Sequence, residues 1–215
     1  MLKTVKTAKT KENNTIELYE TQNKSYDKTI LIIGVFHGEE PQGEFLIDEY
    51  LKLDLSNIKN NLYFIPCLNP DGKFVNKRQN ANGIDLNRNF PTKNWRITEN
   101  PEYFGGTTAG SETETKFMIE VLNDYKFDMI LSIHAPFKIV NYDGPAENLA
   151  KKISEITGYP VQADIGYPTP GSFGNYAGVE RQIPTVTLEL DENDTNEHLW
   201  EINKKVFDYL AYEYQ

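Results

Sequence analysis

The sequence predicts an α/β fold, a single domain over residues 1–215 with a mixed, mostly parallel sheet flanked by helices. Three observations predict it. Continuous apolar runs, the mark of strands covered on both faces, stand at Ile30–Phe36, Leu62–Leu68, Met129–Ile133 and Val186–Leu190. Segments whose apolar residues follow the helical period alternate with these runs. The 215 residues suffice for one sizeable core, and no repeat or linker divides them.

Taken in order, Thr15–Glu20 alternates apolar and polar residues like a strand. Ile30–Phe36 is the first buried strand. Glu44–Leu53 follows as a helix, with Phe45, Leu46, Tyr50 and Leu53 on its apolar side. Leu62–Leu68 is the second buried strand, with Pro66 marking its end or an edge. The segment 69–110 is long, aperiodic and rich in Asn, Gly, Pro and Arg, which points to a functional loop. A helix begins near Ser111, which with Glu114 fits a capping box. Met129–Ile133 is a third buried strand and delivers His134. Ala146–Thr157 is helical and stops at Gly158. Val186–Leu190 is the fourth buried strand, and a last helix spans Asn196–Tyr214.

The formal net charge of −10 argues against nucleic-acid or anionic-membrane partners, which need clustered Lys and Arg. Cys67 is the only cysteine, so no internal disulfide forms. No apolar run has the length of a signal peptide or a membrane span, and a cytoplasmic location is expected. The oligomeric state is not readable from the chain.

Chemistry collects where the apolar runs end. His37 and Glu40 follow the first, His134 follows the third, and Glu189 lies near the end of the fourth. Two histidines and a carboxylate are a recurring ligand set for catalytic zinc, and a further carboxylate can act as general base. Gly38 permits a sharp backbone path between the two candidate ligands. Taken alone, His37 also reads as a structural histidine, and Glu40 as a carboxylate at a helix N-terminus. Glu39 is expected in solvent or at the helix start, and His198 has no partner in this pattern.

The stretch 69–91, NPDGKFVNKRQNANGIDLNRNFP, extends the pattern. With HGEE, YFGG, SETET, SIHAP, TPGSFG and TLEL, it forms an ordered motif set from about residue 30 to 190. In these motifs the chain resembles the zinc metallocarboxypeptidases of the carboxypeptidase A type. It is most similar to their short bacterial branch, the murein peptide amidases that cut γ-D-glutamyl–diaminopimelate bonds. The resemblance implies one Zn2+ per chain, held by His37, Glu40 and His134. It implies Glu189 as general base and proton shuttle, and Arg78 as the group that polarises the scissile carbonyl. Asn87 and Arg88 would hold the free carboxylate of a small peptide substrate. Asp85 would orient a ligand histidine, or else cap the turn before Leu86. Tyr176 lies near the place of the mobile tyrosine that covers substrate in the larger enzymes. Asn141, Tyr142, Asp143 and Ser172 are expected to shape the specificity pocket, and the branch's role in recycling wall peptides suits a cytoplasmic protein. Two alternatives remain: an N-acyl amino acid deacylase of the aspartoacylase type, and a non-catalytic zinc-containing binding module.

Overall fold

Eight strands form one sheet in the order β1-β2-β4-β3-β5-β8-β6-β7 in the computed structural model, which describes residues 2–23 and 25–215. The strands are β1 (Lys3–Lys9), β2 (Thr15–Glu20), β3 (Thr29–Ile33), β4 (Asn61–Ile65), β5 (Met129–His134), β6 (Ile139–Asp143), β7 (Val161–Gln162) and β8 (Thr185–Glu189). The helices are α1 (Gln42–Leu51), α2 (Pro70–Phe74), α3 (Thr113–Asp124), α4 (Glu147–Thr157) and α5 (Asn196–Tyr212). The central strands β4, β3, β5 and β8 run parallel, while β2 and β6 join them antiparallel.

The apolar runs are buried on both faces because each strand alternates its side chains between two cores. Ile30 and Ile32 of β3 pack with Leu46, Ile153, Val206 and Phe207 under α1, α4 and α5. Leu31 and Ile33 pack with Phe117, Met118 and Val121 of α3 and with the loop residues Leu86 and Phe90. Gly158 ends α4 in the left-handed conformation at φ 74°, as its position after the helical pattern predicts.

Two expectations change. The helix α3 starts without a capping box: its Glu112 N-cap makes no side-chain cap hydrogen bond, and the Ser111 hydroxyl donates to Glu112 Oε1 at 2.6 Å. Glu114 turns inward, where Asn80 Nδ2 donates to its carboxylate at 3.2 Å. The buried amides of the long loop thus compete for both carboxylates and pin the loop to the helix start. Burial pushes Glu114 up to about 7. The other change is added strands: β6 and β7 extend the sheet beyond β8, and Lys3–Lys9, with little apolar content, pairs along β2 as an edge strand.

The carboxyl ends of β3, β5 and β8 lie side by side. His134 stands opposite Glu189 in the β5–β8 register. This is the edge of a parallel sheet at which sites assemble in α/β folds.

Candidate active site

The chain leaves β3 along a strained path. Val35 has φ 50°, rare for a β-branched residue, and its carbonyl accepts from Asn69 N at 3.0 Å. Gly38 is needed for close approach rather than for a left-handed turn: a Cβ there would lie 2.1 Å from the backbone of Gly72. The path brings His37 and Glu40 inward, to 3 % and 6 % exposure. His37 Nδ1 lies 2.8 Å from Glu40 Oε1, and His134 Nδ1 lies 2.9 Å from Glu40 Oε2. All three residues offer ligand atoms within 4.8 Å of one another.

This donor set fits zinc. Bonds of about 2.0 Å to a tetrahedral ion set ligand atoms about 3.3 Å apart, close to the separations found. The electrostatics also favour a cation here. Burial alone would raise the Glu40 carboxyl, but the two imidazoles outweigh it and hold the group well below the usual carboxylate range. Burial likewise opposes charge on His37, yet Glu40 and Asp85 push that imidazole up to about 9. A bound metal ion would take the place of that proton.

Asp85 contacts both the turn that follows it and the His37 ring. Its Oδ1 accepts from Asn87 N at 2.8 Å, capping the turn, and lies 3.2 Å from His37 Nε2. Holding the proton on Nε2 leaves the Nδ1 lone pair free for an ion. Arg78 Nε donates to Asp85 Oδ2 at 3.0 Å, and its NH1 reaches to 3.8 Å from Glu40 Oε1. Arg88 is buried at 4 % exposure. The guanidinium carbons of Arg78 and Arg88 lie 5.1 and 5.6 Å from the centre of the Tyr103 ring. Asn87 Oδ1 accepts from Phe173 N at 2.8 Å, which ties this wall to the segment before β8.

His37, Glu40, His134, Arg78, Asn87, Arg88 and Tyr103 line one cavity of about 510 Å³, together with Glu189, Asn141, Asp143 and Ser172, while Asp85 lies buried behind them. Glu189 is 7 % exposed, and its Oε2 has no hydrogen-bond partner. Burial, ahead of the nearby imidazoles and Glu40, raises its carboxyl. The arrangement can hold a divalent metal, place two guanidinium groups beside it and offer a carboxylate with a free oxygen.

Tyr176 is not brought to this cavity. It is packed at 8 % exposure with its ring 5.4 Å from Phe90, and its hydroxyl accepts from Arg181. Tyr142 also points away, because strand alternation sends it into the opposite core. The aromatic hydroxyls at the cavity belong to Tyr103 and Tyr167, which the sequence reading missed. They sit in the YFGG and GYPTP turns, whose Gly and Pro were the available signal for loops. Glu39 is exposed at the cavity rim. His198 stands apart in α5, 2.6 Å from Asp194.

Comparison with known proteins agrees with this geometry. The zinc carboxypeptidase family profile matches residues 1–152. The chain is 31 % identical to murein peptide amidase A of Vibrio campbellii over 188 residues, 80 % of this chain and 73 % of that protein. It is 27 % identical to the enzyme of that name from Escherichia coli K12 over 179 residues, 78 % of this chain and 73 % of that one. The fold superposes on the crystal structure of a murein-tripeptide amidase from Escherichia coli O157 with a TM-score of 0.86 at 23 % identity, covering 100 % of this chain and 92 % of the other.

Proposed function

The chain belongs to the zinc carboxypeptidase family, and from that membership we propose that it hydrolyses an amide next to a free carboxylate in murein peptides, with γ-D-glutamyl–diaminopimelate as its substrate. The observation that carries the reading is Glu189. A buried carboxylate with an unpartnered oxygen, in register beside the ligand His134, is what water activation requires. The relatives named as murein peptide amidases support the choice of substrate.

His37, Glu40 and His134 would hold the zinc, which supplies a Lewis acid and lowers the pKa of water. Glu189 takes a proton from the attacking water and passes it to the leaving amine, so the base returns to its starting state. Its raised pKa brings its basicity nearer to that task. Arg78 faces the oxygen on which negative charge develops, and Asp85 holds that guanidinium in place. Arg88 offers a planar fork to the substrate's free carboxylate, with Asn87 beside it. No helix among the described residues is long and apolar enough to cross a membrane. The unpaired Cys67 suits a reducing compartment, and the reading includes recycling of wall peptides in the cytoplasm.

The test is hydrolysis of the γ-D-glutamyl–diaminopimelate tripeptide by the zinc-loaded protein. Release of diaminopimelate is expected, lost on chelation and restored by zinc. Release of acetate or succinate from N-acyl amino acids in its place would establish a deacylase. Zinc binding without any turnover would establish a binding module.

A further inference from the structure

Arg78 and Asp85 close the neck of a short loop whose turn is fixed to a helix. At the neck, Arg78 Nε donates to Asp85 Oδ2 at 3.0 Å. Within the loop, Asn80 builds the turn that joins them. Its N–H donates to the Ile84 carbonyl at 3.0 Å, and its side-chain oxygen accepts from Asn82 N at 3.0 Å and from Ile84 N at 3.2 Å. The amide nitrogen of the same side chain fixes the turn to the start of α3. It donates to Glu112 Oε2 at 2.8 Å and to Glu114 Oε2 at 3.2 Å. One buried side chain thus orders the turn and ties it to the helix.

The two carboxylates that meet Asn80 are unequal. Glu112 also accepts from the Ser111 hydroxyl at 2.6 Å and from Asn82 Nδ2 at 2.7 Å. Burial opposes its charge, yet Asn82, Ser111 and Asn80, with Lys116 nearby, hold its carboxyl below the usual range. Glu114 takes the longer bond to Asn80, and its Oε1 is buried without a partner. Among the described residues no cation pairs with it. The charged groups that face it are two acids: Glu112 at the start of its own helix, and Asp71 of α2, which Thr10, Asn14 and the Glu12 N–H hold in place. Burial first, then these two acids, push the Glu114 carboxyl up to about 7 against the pull of Asn80. A charged Glu114 leaves a bare oxygen out of water beside two like charges, a costly arrangement. The neutral acid can carry its proton on that oxygen and keep Oε2 for Asn80.

We propose that Glu114, in its protonated form, is a positioning residue for the active-site loop: it lets Asn80 tie the turn to α3, which keeps Arg78 and Asp85 at the metal site, and loss of its proton slackens that tie. The proposal goes beyond the hydrolase reading and rests on it only for the activity measured below. Proton linkage sets the direction. In a released loop Glu114 meets water and ionises near its ordinary 4.5, whereas in the tied loop it keeps its proton up to about 7. The tie is therefore at full strength below the first value, weakens as the pH rises through the second and is level above it. One proton changes an equilibrium by at most about tenfold per pH unit, so roughly ten- to thirtyfold of the hold is lost between about pH 5.5 and 7.5.

The test is hydrogen exchange of the zinc-loaded protein at those two pH values, corrected for the intrinsic pH dependence of exchange and read on peptides covering residues 78–85. Wild-type protection is expected to fall by that factor. In Glu114→Gln, whose side chain has the same shape and stays neutral, it remains level within about twofold. Glu112→Gln removes one of the two facing charges, shrinks the wild-type slope and serves if the first variant fails to fold. In parallel, kcat/KM of the wild type for the γ-D-glutamyl–diaminopimelate tripeptide is divided by that of Glu114→Gln at the same pH. Glu189 and the metal site titrate in both proteins and cancel, and the ratio is expected to fall over the same interval. Wild-type protection that is level with pH, a slope that persists in the variants, or an unchanged kcat/KM ratio overturns the proposal. A protein that cleaves no peptide yet loses protection with pH, in a manner abolished by Glu114→Gln, sinks the hydrolase reading and leaves Glu114 as the residue that holds the loop.

Discussion

The two walls of the cavity are built on opposite terms. On the wall made by the loops after β3 and β4, the charged side chains answer one another. Glu40 lies between two imidazoles, Asp85 meets His37 and Arg78, and Arg78 and Arg88 share the face of Tyr103. On the wall made by β8 and β6, two acids have free oxygens: Glu189 Oε2 has no partner, and Asp143 has none at all. The first wall is organised before any substrate arrives, so its groups lose little freedom when they act. The second wall keeps hydrogen-bonding capacity in reserve, at a cost to stability, and that capacity is what water and substrate can use. A carboxylate's role in this molecule thus follows from whether the fold has already satisfied it.

The largest effect expected from this contrast is at Glu189. Glu189→Gln keeps the shape and one acceptor oxygen but removes the base. Turnover should fall by about 10²- to 10⁴-fold while zinc content stays at one per chain, read by steady-state hydrolysis and metal analysis of the same preparation. Full activity in the variant would show that the free oxygen is not the base. A smaller effect is expected on the satisfied wall. Asp85→Asn can still accept from Asn87 N, but it loses the charge that meets His37 and Arg78. Zinc affinity should drop by about 10- to 100-fold in a chelator competition, with the fold intact. An unchanged affinity would mean that the imidazole is held by packing and not by Asp85.

The same contrast explains what was legible in the sequence. His37, Glu40, His134 and Glu189 could be placed because each stands at the end of an apolar run, and a buried strand has few ways to deliver its last residue. Asp85, Asn87 and Arg88 came from a dense motif whose spacing survives in one short turn (Leu86–Arg88). Strand β1 was hidden because KTVKTAK carries too little apolar surface to mark an edge strand. Strand β6 was hidden because IVNYD is short and half polar, although its alternation sends Tyr142 to one core and Asp143 to the cavity. The pairing of Ser111 with Glu114 misled for a related reason: a capping pattern states local preference, and in the fold the Ser111 hydroxyl goes to Glu112 while Glu114 is buried beside Asn80. On the second wall Glu189 is announced by its place at the end of an apolar run, whereas Asp143 stands on a short, half-polar strand with no pattern of partners around it.

Tyr176 gives the finest test of the comparison, because position in the chain put it near the second wall and packing took it away. Its ring lies against Phe90, Arg181 stacks 4.6 Å from its centre, and the hydroxyl is already bonded to that guanidinium. Tyr176→Phe keeps the ring and the stacking and removes one hydrogen bond. Arg181 retains the Leu122 carbonyl at 3.2 Å and Asn123 Oδ1 at 2.9 Å, so the loss should be about 1 kcal/mol of stability. Both kcat and KM should stay within about twofold of the wild type, a margin that a residue covering the substrate would exceed. Thermal unfolding and steady-state hydrolysis on one preparation measure both numbers. A large fall in kcat/KM with unchanged stability would mean that the Tyr176 ring leaves Phe90 and swings over the substrate. The satisfied hydroxyl would then be a resting contact, and the division between the two walls would hold only for the free protein.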